Sequence, residues 1–471
     1  MIVLVDDLVV QHGGDLISGR VDDYTYVYNP RWSSGIVLVS QDVYDLISFV
    51  SKKKRISDIR NGLLWAKKYP WKFSNSLTAL AASGILDLGK EYSKYLATKQ
   101  RRTKRKEMVI WLQMTDACNL RCSYCYINKS PKHMCIGTAK ALISKMAEEC
   151  HRDGIEGIKI KCAGGEPTIR WGVLKELVDW SGVGLSKVPT HVDYVILTNG
   201  THLPPDLINY AADRKVRLSI SLDGVQQWHD KNRPYANGQG SFCDVDRTID
   251  VLLRRDVRPG ISVTITKENV KGLTELAEYC VQRNLSFRFS PYRRALTSPE
   301  DLKSENNELI YELRRCYAWL EDHLPEPSLH CVHKFGDISF GGPKVRVCKI
   351  GNTEAAIRTD GKVCLCQFDM ENPIGDGLRS GILSTLKQQQ RFVPTDNGVD
   401  RIPGCRDCQW RYICGGGCPL LTKNQYGEYR HPSPYCEVYK AVIPVLLRLH
   451  ALQRIRSMQE SSERIGMCPS C

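Results

Sequence analysis

Apolar and polar positions follow two different rhythms along the 471-residue chain. Up to about residue 95 the apolar runs are short: MIVLVDDLVV, DYTYVYN and GIVLVS, with turn residues between them. Partial alternation over such lengths is the period of a half-buried strand, so a three-stranded antiparallel sheet is expected. Helical patterns follow. In 42–50, Val43, Leu46, Ile47 and Val50 share one face, and a segment capped by Ser74 runs to Leu86. From about 107 to 330 the period changes. VIWLQMT, GIKIKCAGG, VDYVILTNG, VRLSISLDG, GISVTITKEN and LSFRFSPYR read as six strands, alternating with amphipathic segments at 138–150, 171–180, 206–214, 244–254 and 273–283. This alternation predicts an α/β fold: a parallel sheet wound right-handedly into an incomplete barrel, with ligands at the carboxyl ends of its strands.

The loop after the first of these strands reads Cys118-Asn119-Leu120-Arg121-Cys122-Ser123-Tyr124-Cys125. Three thiolates at this spacing can hold three irons of a [4Fe-4S] cluster, and the loop has no fourth cysteine for the remaining iron. Zinc is the alternative, although it usually takes a fourth Cys or His at compatible spacing. The spacing, the adjacent aromatic residue and the strand upstream resemble the radical S-adenosylmethionine (SAM) enzymes, in which the open iron chelates the amine and carboxylate of SAM. Later motifs extend the resemblance. Gly164-Gly165-Glu166-Pro167 ends the second strand; glycines permit close backbone approach, and a glutamate can accept from an ammonium group. The resemblance implies that this motif meets the SAM amine.

Thr198-Asn199-Gly200 follows the third strand, and Ser219-Ile220-Ser221-Leu222-Asp223-Gly224 the fourth. The run SLDGVQQWHDKNRP is similar to peptide-modifying members of the family. That similarity implies that Ser219 and Ser221 lie near the ribose and methionine, with Arg233 a candidate partner for the carboxylate. Tyr124 and Asn199 join this cofactor-binding set. His229 and Asp230 read as a local structural pair, and 264–267 as an edge of the adenine pocket.

Seven further cysteines, Cys348, Cys366, Cys405, Cys408, Cys414, Cys418 and Cys436, have spacings that resemble the SPASM extension, which holds two auxiliary [4Fe-4S] clusters. The resemblance assigns Cys405, Cys408, Cys414 and Cys436 to one cluster and Cys348, Cys366 and Cys418 to the other, giving three clusters in all. Cys331 is the first choice for the missing ligand; Cys316, Cys364, a substrate atom or a vacant position are alternatives. A zinc ribbon remains an alternative for 405–418. Cys468 and Cys471 read as an incidental pair in a frayed tail, and Cys135, Cys150, Cys162, Cys243 and Cys280 largely as inert thiols.

Composition adjusts this picture. Twenty cysteines without a basic, apolar, cleavable N-terminal pattern point to a reducing cytoplasm and metal ligation rather than disulfides. No apolar run approaches membrane-spanning length. The net charge of +14 is concentrated most densely in KQRRTKRK, which lacks interleaved aromatics and reads as a solvated linker rather than a nucleic-acid contact. A basic face can also steer an acidic peptide. The expected organisation is a winged-helix-like α+β domain at 1–98, a basic linker at 99–107, a partial (β/α)6 barrel at 108–330, a cysteine-rich SPASM domain at 331–450 and a tail at 451–471. The first domain resembles those that hold the leader of a precursor peptide by adding it to a sheet edge.

Together these features imply a radical SAM oxidoreductase that matures a ribosomally made peptide by an oxidative carbon-carbon or thioether crosslink. A flavodoxin or ferredoxin would supply electrons. Sulfatase-maturing enzymes usually place an aspartate directly after the cysteine at the Cys366 position, where this chain has Gln367 and then Asp369. That departure argues against formylglycine formation, although another protein maturase remains an alternative, as does a metal-stapled nucleic-acid-binding protein. Asp369, Asp360 and Tyr292 are the candidate catalytic bases.

Overall fold

The computed structural model describes residues 8–32, 35–89, 107–185, 191–295, 297–298, 301–324, 333–389 and 398–466. The basic run at 99–106, Cys331, Cys468 and Cys471 lie outside them. The N-terminal strands are β1 (Val9–His12), β2 (Ile17–Val21), β3 (Tyr24–Tyr28), β4 (Val37–Val39), β5 (Lys54–Arg55) and β6 (Leu86–Asp87).

The antiparallel sheet is β2-β3-β4, and this corrects the expected strand set. The first apolar run contributes β1, which pairs with β5 and β6 instead. The third member is ISGRV, whose glycine, serine and arginine hide it from a search for apolar alternation. Leu46, Ile47 and Val50 are buried as expected at the helix Gln41–Phe49. Ser74 is not a cap. It lies inside the helix Pro70–Ala82, which starts on a proline whose missing N–H costs nothing in a first turn.

The six expected strands form in order as β7 (Glu107–Thr115), β8 (Gly157–Gly164), β9 (His191–Thr198), β10 (Arg217–Ser221), β11 (Gly260–Ile265) and β12 (Phe287–Pro291), each parallel to its neighbour. The C-terminal region then adds to both edges. The strand β13 (His333–Phe335) pairs parallel with β12, and β14 (Glu354–Ile357) pairs parallel with β7, followed by antiparallel β15 (Lys362–Cys364) and β16 (Gly375–Asp376). The expected boundary at 330 therefore does not separate two sheets.

Alternation along the strands sorts the two faces. Ile110, Ile160, Ile220, Val263 and Phe289 are buried in the main apolar core. Between them Trp111, Lys161, Ser219, Ser221, Ser262 and Arg288 remain partly or fully open. The sheet is also curved. Glu354 on β14 acts electrostatically on Arg288 of β12 across five intervening strands, which in a flat sheet would put them about 29 Å apart. Curvature turns the polar face inward.

The helix Cys436–Gly466 packs on the helix Asn306–Asp322 and on β2 and β4. It runs through residue 451, so the expected start of a tail falls inside a helix. Tyr28 stacks edge-on to Phe340 with ring centroids 5.7 Å apart. The N-terminal module thus has its own core around Leu46, Ile59 and Leu77, while Tyr26 and Tyr28 of β3 belong to the main core.

A buried carboxylate ties the C-terminal region to the central domain. Glu149 accepts from the backbone N–H groups of Ile382, Leu383 and Ser384 at 2.9–3.0 Å, and from Ser384 Oγ at 2.6 Å. Glu149→Ala would leave these helix-starting donors without their acceptor. It is expected to cost about 3 kcal/mol, read as a lower denaturation midpoint, with Glu149→Gln losing less. An unchanged midpoint would show that water replaces the carboxylate.

Candidate active site

The cysteine loop has little regular structure and takes its shape from its neighbours. Arg121 N–H donates to Pro234 O at 2.8 Å, Ser123 N–H to Asn232 O at 2.9 Å, and Ala236 N–H to Asn119 O at 3.1 Å. Leu120 and Tyr235 form an antiparallel bridge. These contacts bring Cys118, Cys122 and Cys125 within electrostatic reach of one another. Burial pushes the Cys122 thiol up to about 12, with Arg233 pulling it down. Lys129 Nζ donates to Cys125 Sγ at 2.6 Å.

The glycines of the second motif are required by the loop. At Gly165 a Cβ would lie 2.1 Å from Ala117 O, immediately before Cys118. Glu166 is 3% exposed, and its carboxylate is engaged by the chain itself. Oε1 accepts from Thr168 N–H and Oγ1 and from Thr198 Oγ1, while Oε2 accepts from Asn199 N–H at 2.7 Å. The motif therefore fixes the turn at 198–200, and Oε2 is the less occupied oxygen. Asn199 Nδ2 in turn donates to Asn119 Oδ1 at 2.8 Å, tying the third strand end to the cysteine loop. The link through Asn119 and Thr201 was not anticipated, although Asn119 stands inside the cysteine motif.

Arg233 is 8% exposed. It donates to Tyr124 OH, which donates to Asp223 Oδ2 at 2.5 Å; the guanidinium itself stands 3.7 Å from that oxygen. Part of its charge is thus compensated within the chain, while its Nε has no partner among the described residues. Asp223 also accepts from Thr264 N–H at 2.9 Å, so 264–267 is built into this network. His229 and Asp230 are structural, but they are not a pair. His229 Nδ1 receives Asp223 N–H and its Nε2 bonds Ser241 Oγ, whereas Asp230 receives Phe242 N–H. Ser219 and Ser221 stand partly open on the inward face.

The C-terminal thiols gather into two sets. Cys348, Cys366 and Cys418 influence one another, and burial followed by Cys418 pushes Cys366 up to about 12. Cys405, Cys408, Cys414 and Cys436 form the other set. Gly415, Gly416 and Gly417 have φ of 60°, 82° and 80°, a left-handed run that lets Cys414 and Cys418 serve different sets. Among the described residues no three His, Cys, Asp or Glu converge closely enough to hold one metal ion. Cys316 is turned to Leu273 O and Cys364 to Met370 O, each at 3.5 Å.

The three candidate bases do not converge. Asp360 bonds Lys362 N–H and Arg358 in a turn, and Tyr292 is 2% exposed, its carbonyl accepting from Tyr435 OH. Asp369 lines a small cavity with Tyr126 and Phe368, whose rings lie 4.8 Å apart. A neighbouring cavity of about 200 Å³ is lined by Gln113, Asp116, Tyr126, Lys132, Arg358 and Glu371.

Residues 112–280 match the model of the Radical SAM superfamily. They form a radical SAM domain. A cysteine-type anaerobic sulfatase-maturating enzyme of Clostridium novyi is 25% identical over 346 residues, 69% of this chain and 91% of that protein. The structure of anSMEcpe with bound AdoMet and the Cp18Cys peptide matches with a TM-score of 0.63 at 16% identity, covering 74% of this chain and 99% of its own. Streptococcus suis SuiB bound to its precursor peptide SuiA matches with a TM-score of 0.54 at 13% identity, covering 91% and 100%. At these identities the two structures establish a shared fold.

Radical SAM proteins bind SAM and a [4Fe-4S] cluster, and the donors in this radical SAM domain fit both. Its loop offers three thiols, Arg233 has an Nε without a partner among the described residues, and the partly open serines of β10 lie on the inward face. Tyr124→Phe would remove the hydroxyl between Arg233 and Asp223. It is expected to destabilise the protein by about 2 kcal/mol, measured by chemical denaturation, and unchanged stability would remove this hydroxyl from the support of the loop.

Proposed function

We propose that the protein is a peptide maturase in which residues 1–98 hold the leader of a precursor and the curved sheet, an incomplete barrel, presents SAM to the segment to be modified. The observation that carries this reading is the gathering of seven C-terminal thiols into two sets beside the radical SAM domain. Two auxiliary [4Fe-4S] clusters there would suit a reaction that removes a second electron from substrate. The likeness to SuiB over 91% of this chain supports the assignment of the N-terminal module.

Cys118, Cys122 and Cys125 would hold the cluster, and SAM bound there would supply hydrogen abstraction from an unactivated carbon after one-electron cleavage. The chain's own residues position and shield that step. Glu166 and Asn199 fix the strand ends against the cysteine loop, Ser219 and Ser221 offer hydroxyls on the inward face, and Arg233 braces the loop from beneath. A net loss of two hydrogens, forming an intrapeptide carbon-carbon or thioether bond, is the product this arrangement supports best. A flavodoxin or ferredoxin would supply the first electron.

The test is anaerobic reconstitution with SAM, dithionite and the peptide encoded nearest the gene. A peptide lighter by two hydrogens for each crosslink is expected. Cys122→Ala should abolish SAM cleavage, whereas Cys408→Ala should keep SAM cleavage, bind less iron and lose peptide modification. Conversion of a sulfatase-derived peptide to formylglycine, with no crosslink in the neighbouring peptide, would replace this reading with sulfatase maturation.

A further inference from the structure

The inward face of the sheet carries more cations than its carboxylates engage. Two of them have close partners, Lys159 with Glu107 at 2.6 Å and Arg217 with Asp193 at 3.7 Å, and just beyond β12 Arg293 pairs with Asp337 at 2.7 Å. Among the described residues Lys161 and Arg288 have no ion-pair partner. Among the described residues Lys161 makes no side-chain hydrogen bond or ion pair, and Arg288 donates only to Gly336 O at 2.7 Å. Arg288 acts on the charge of Lys161, and Glu354 acts on both without reaching salt-bridge distance of either; Asp337, already paired with Arg293, also acts on Arg288, and Glu107, already paired with Lys159, on Lys161. Burial lowers the basicity of each group. Arg288 nevertheless remains exposed and Lys161 partly exposed, so both can still meet a ligand.

Two partly desolvated cations that repel each other are costly unless an anion joins them. A carboxylate matches the planar fork of an arginine and can take a second, charge-assisted bond from a lysine. The height is suitable as well. Lys161 stands three residues before Gly164 and Arg288 three before Pro291, so both lie about 10 Å below the rim that carries the cysteine loop. Trp111, in register with Lys161, supplies an apolar wall.

We propose that Lys161 and Arg288 bind a carboxylate of the substrate peptide and so set which segment is presented at the rim. This deepens the maturase reading and rests on it. A glutamate side chain and a free peptide C-terminus offer the same group, and the test separates them.

The full-length reconstituted protein with SAM would be titrated anaerobically with three probes, Ac-Gly-Glu-Gly-NH2, Ac-Gly-Gln-Gly-NH2 and Ac-Gly-Gly-Gly-OH, with binding followed by saturation-transfer NMR. A probe bearing a carboxylate should bind at least tenfold more tightly than the glutamine peptide; which of the two does so identifies the source. That preference should vanish in Lys161→Met and Arg288→Met and survive in Lys161→Arg, with iron content and circular dichroism confirming that each variant is folded. Equal binding of all three probes, no binding of any, or a preference retained in both methionine variants would overturn the proposal. SAM cleavage by the wild-type protein is read in parallel: its absence would defeat the maturase reading, while a Lys161-dependent preference would leave the carboxylate site standing.

Discussion

The cysteine loop depends on a buried arginine. Arg233 cannot lie under the loop uncompensated, and the Tyr124 hydroxyl and Asp223 provide the compensation from the loop itself and from the end of β10. Because one of those partners belongs to the loop, satisfying the charge also positions the thiols. Main-chain bonds to 232–236 then hold the backbone on both sides of Cys122. Glu166 performs the equivalent task at the end of β8. Its carboxylate gathers donors from its own turn and from the next, so the second and third strands end at a fixed height.

Much of this was legible in the sequence because the signals were local. Six strands in alternation with amphipathic segments gave the parallel order of β7 to β12, and the spacing of the cysteines separated one trio from the C-terminal sets. What was missed depends on contacts distant in sequence. No local pattern in ISGRV marks it as a strand; its partner β3 makes it one. Glu166 was expected to face a ligand, and only the fold brings Thr198 and Asn199 to within hydrogen-bonding distance of its carboxylate. Asp360 is a candidate base by sequence, but it closes the turn before β15. Lys161 and Arg288 carry no motif at all. They are recognisable only once alternation and curvature place them on the same side of the sheet.

The C-terminal third behaves as part of the same body. Its strands pair on both edges of the sheet, Phe368 packs on Tyr126 of the cysteine loop, and Arg293 lies close enough to Cys366 and Cys418 to act on them electrostatically. The two C-terminal thiol sets are thereby coupled to the radical SAM domain through packed side chains. The N-terminal module is bound to the same body through Tyr26, Tyr28 and the helix Cys436–Gly466.

The placement of β13 and β14 has a consequence for biosynthesis. As the chain leaves the ribosome, 107–291 emerges with unpaired main-chain groups along β7 and β12, and the strands that cover them have yet to be translated. Open strand borders invite pairing with other nascent chains. The central sheet therefore reaches its finished form only late in translation, and a prematurely terminated product lacking 333–357 would be prone to aggregate rather than to persist as a smaller enzyme.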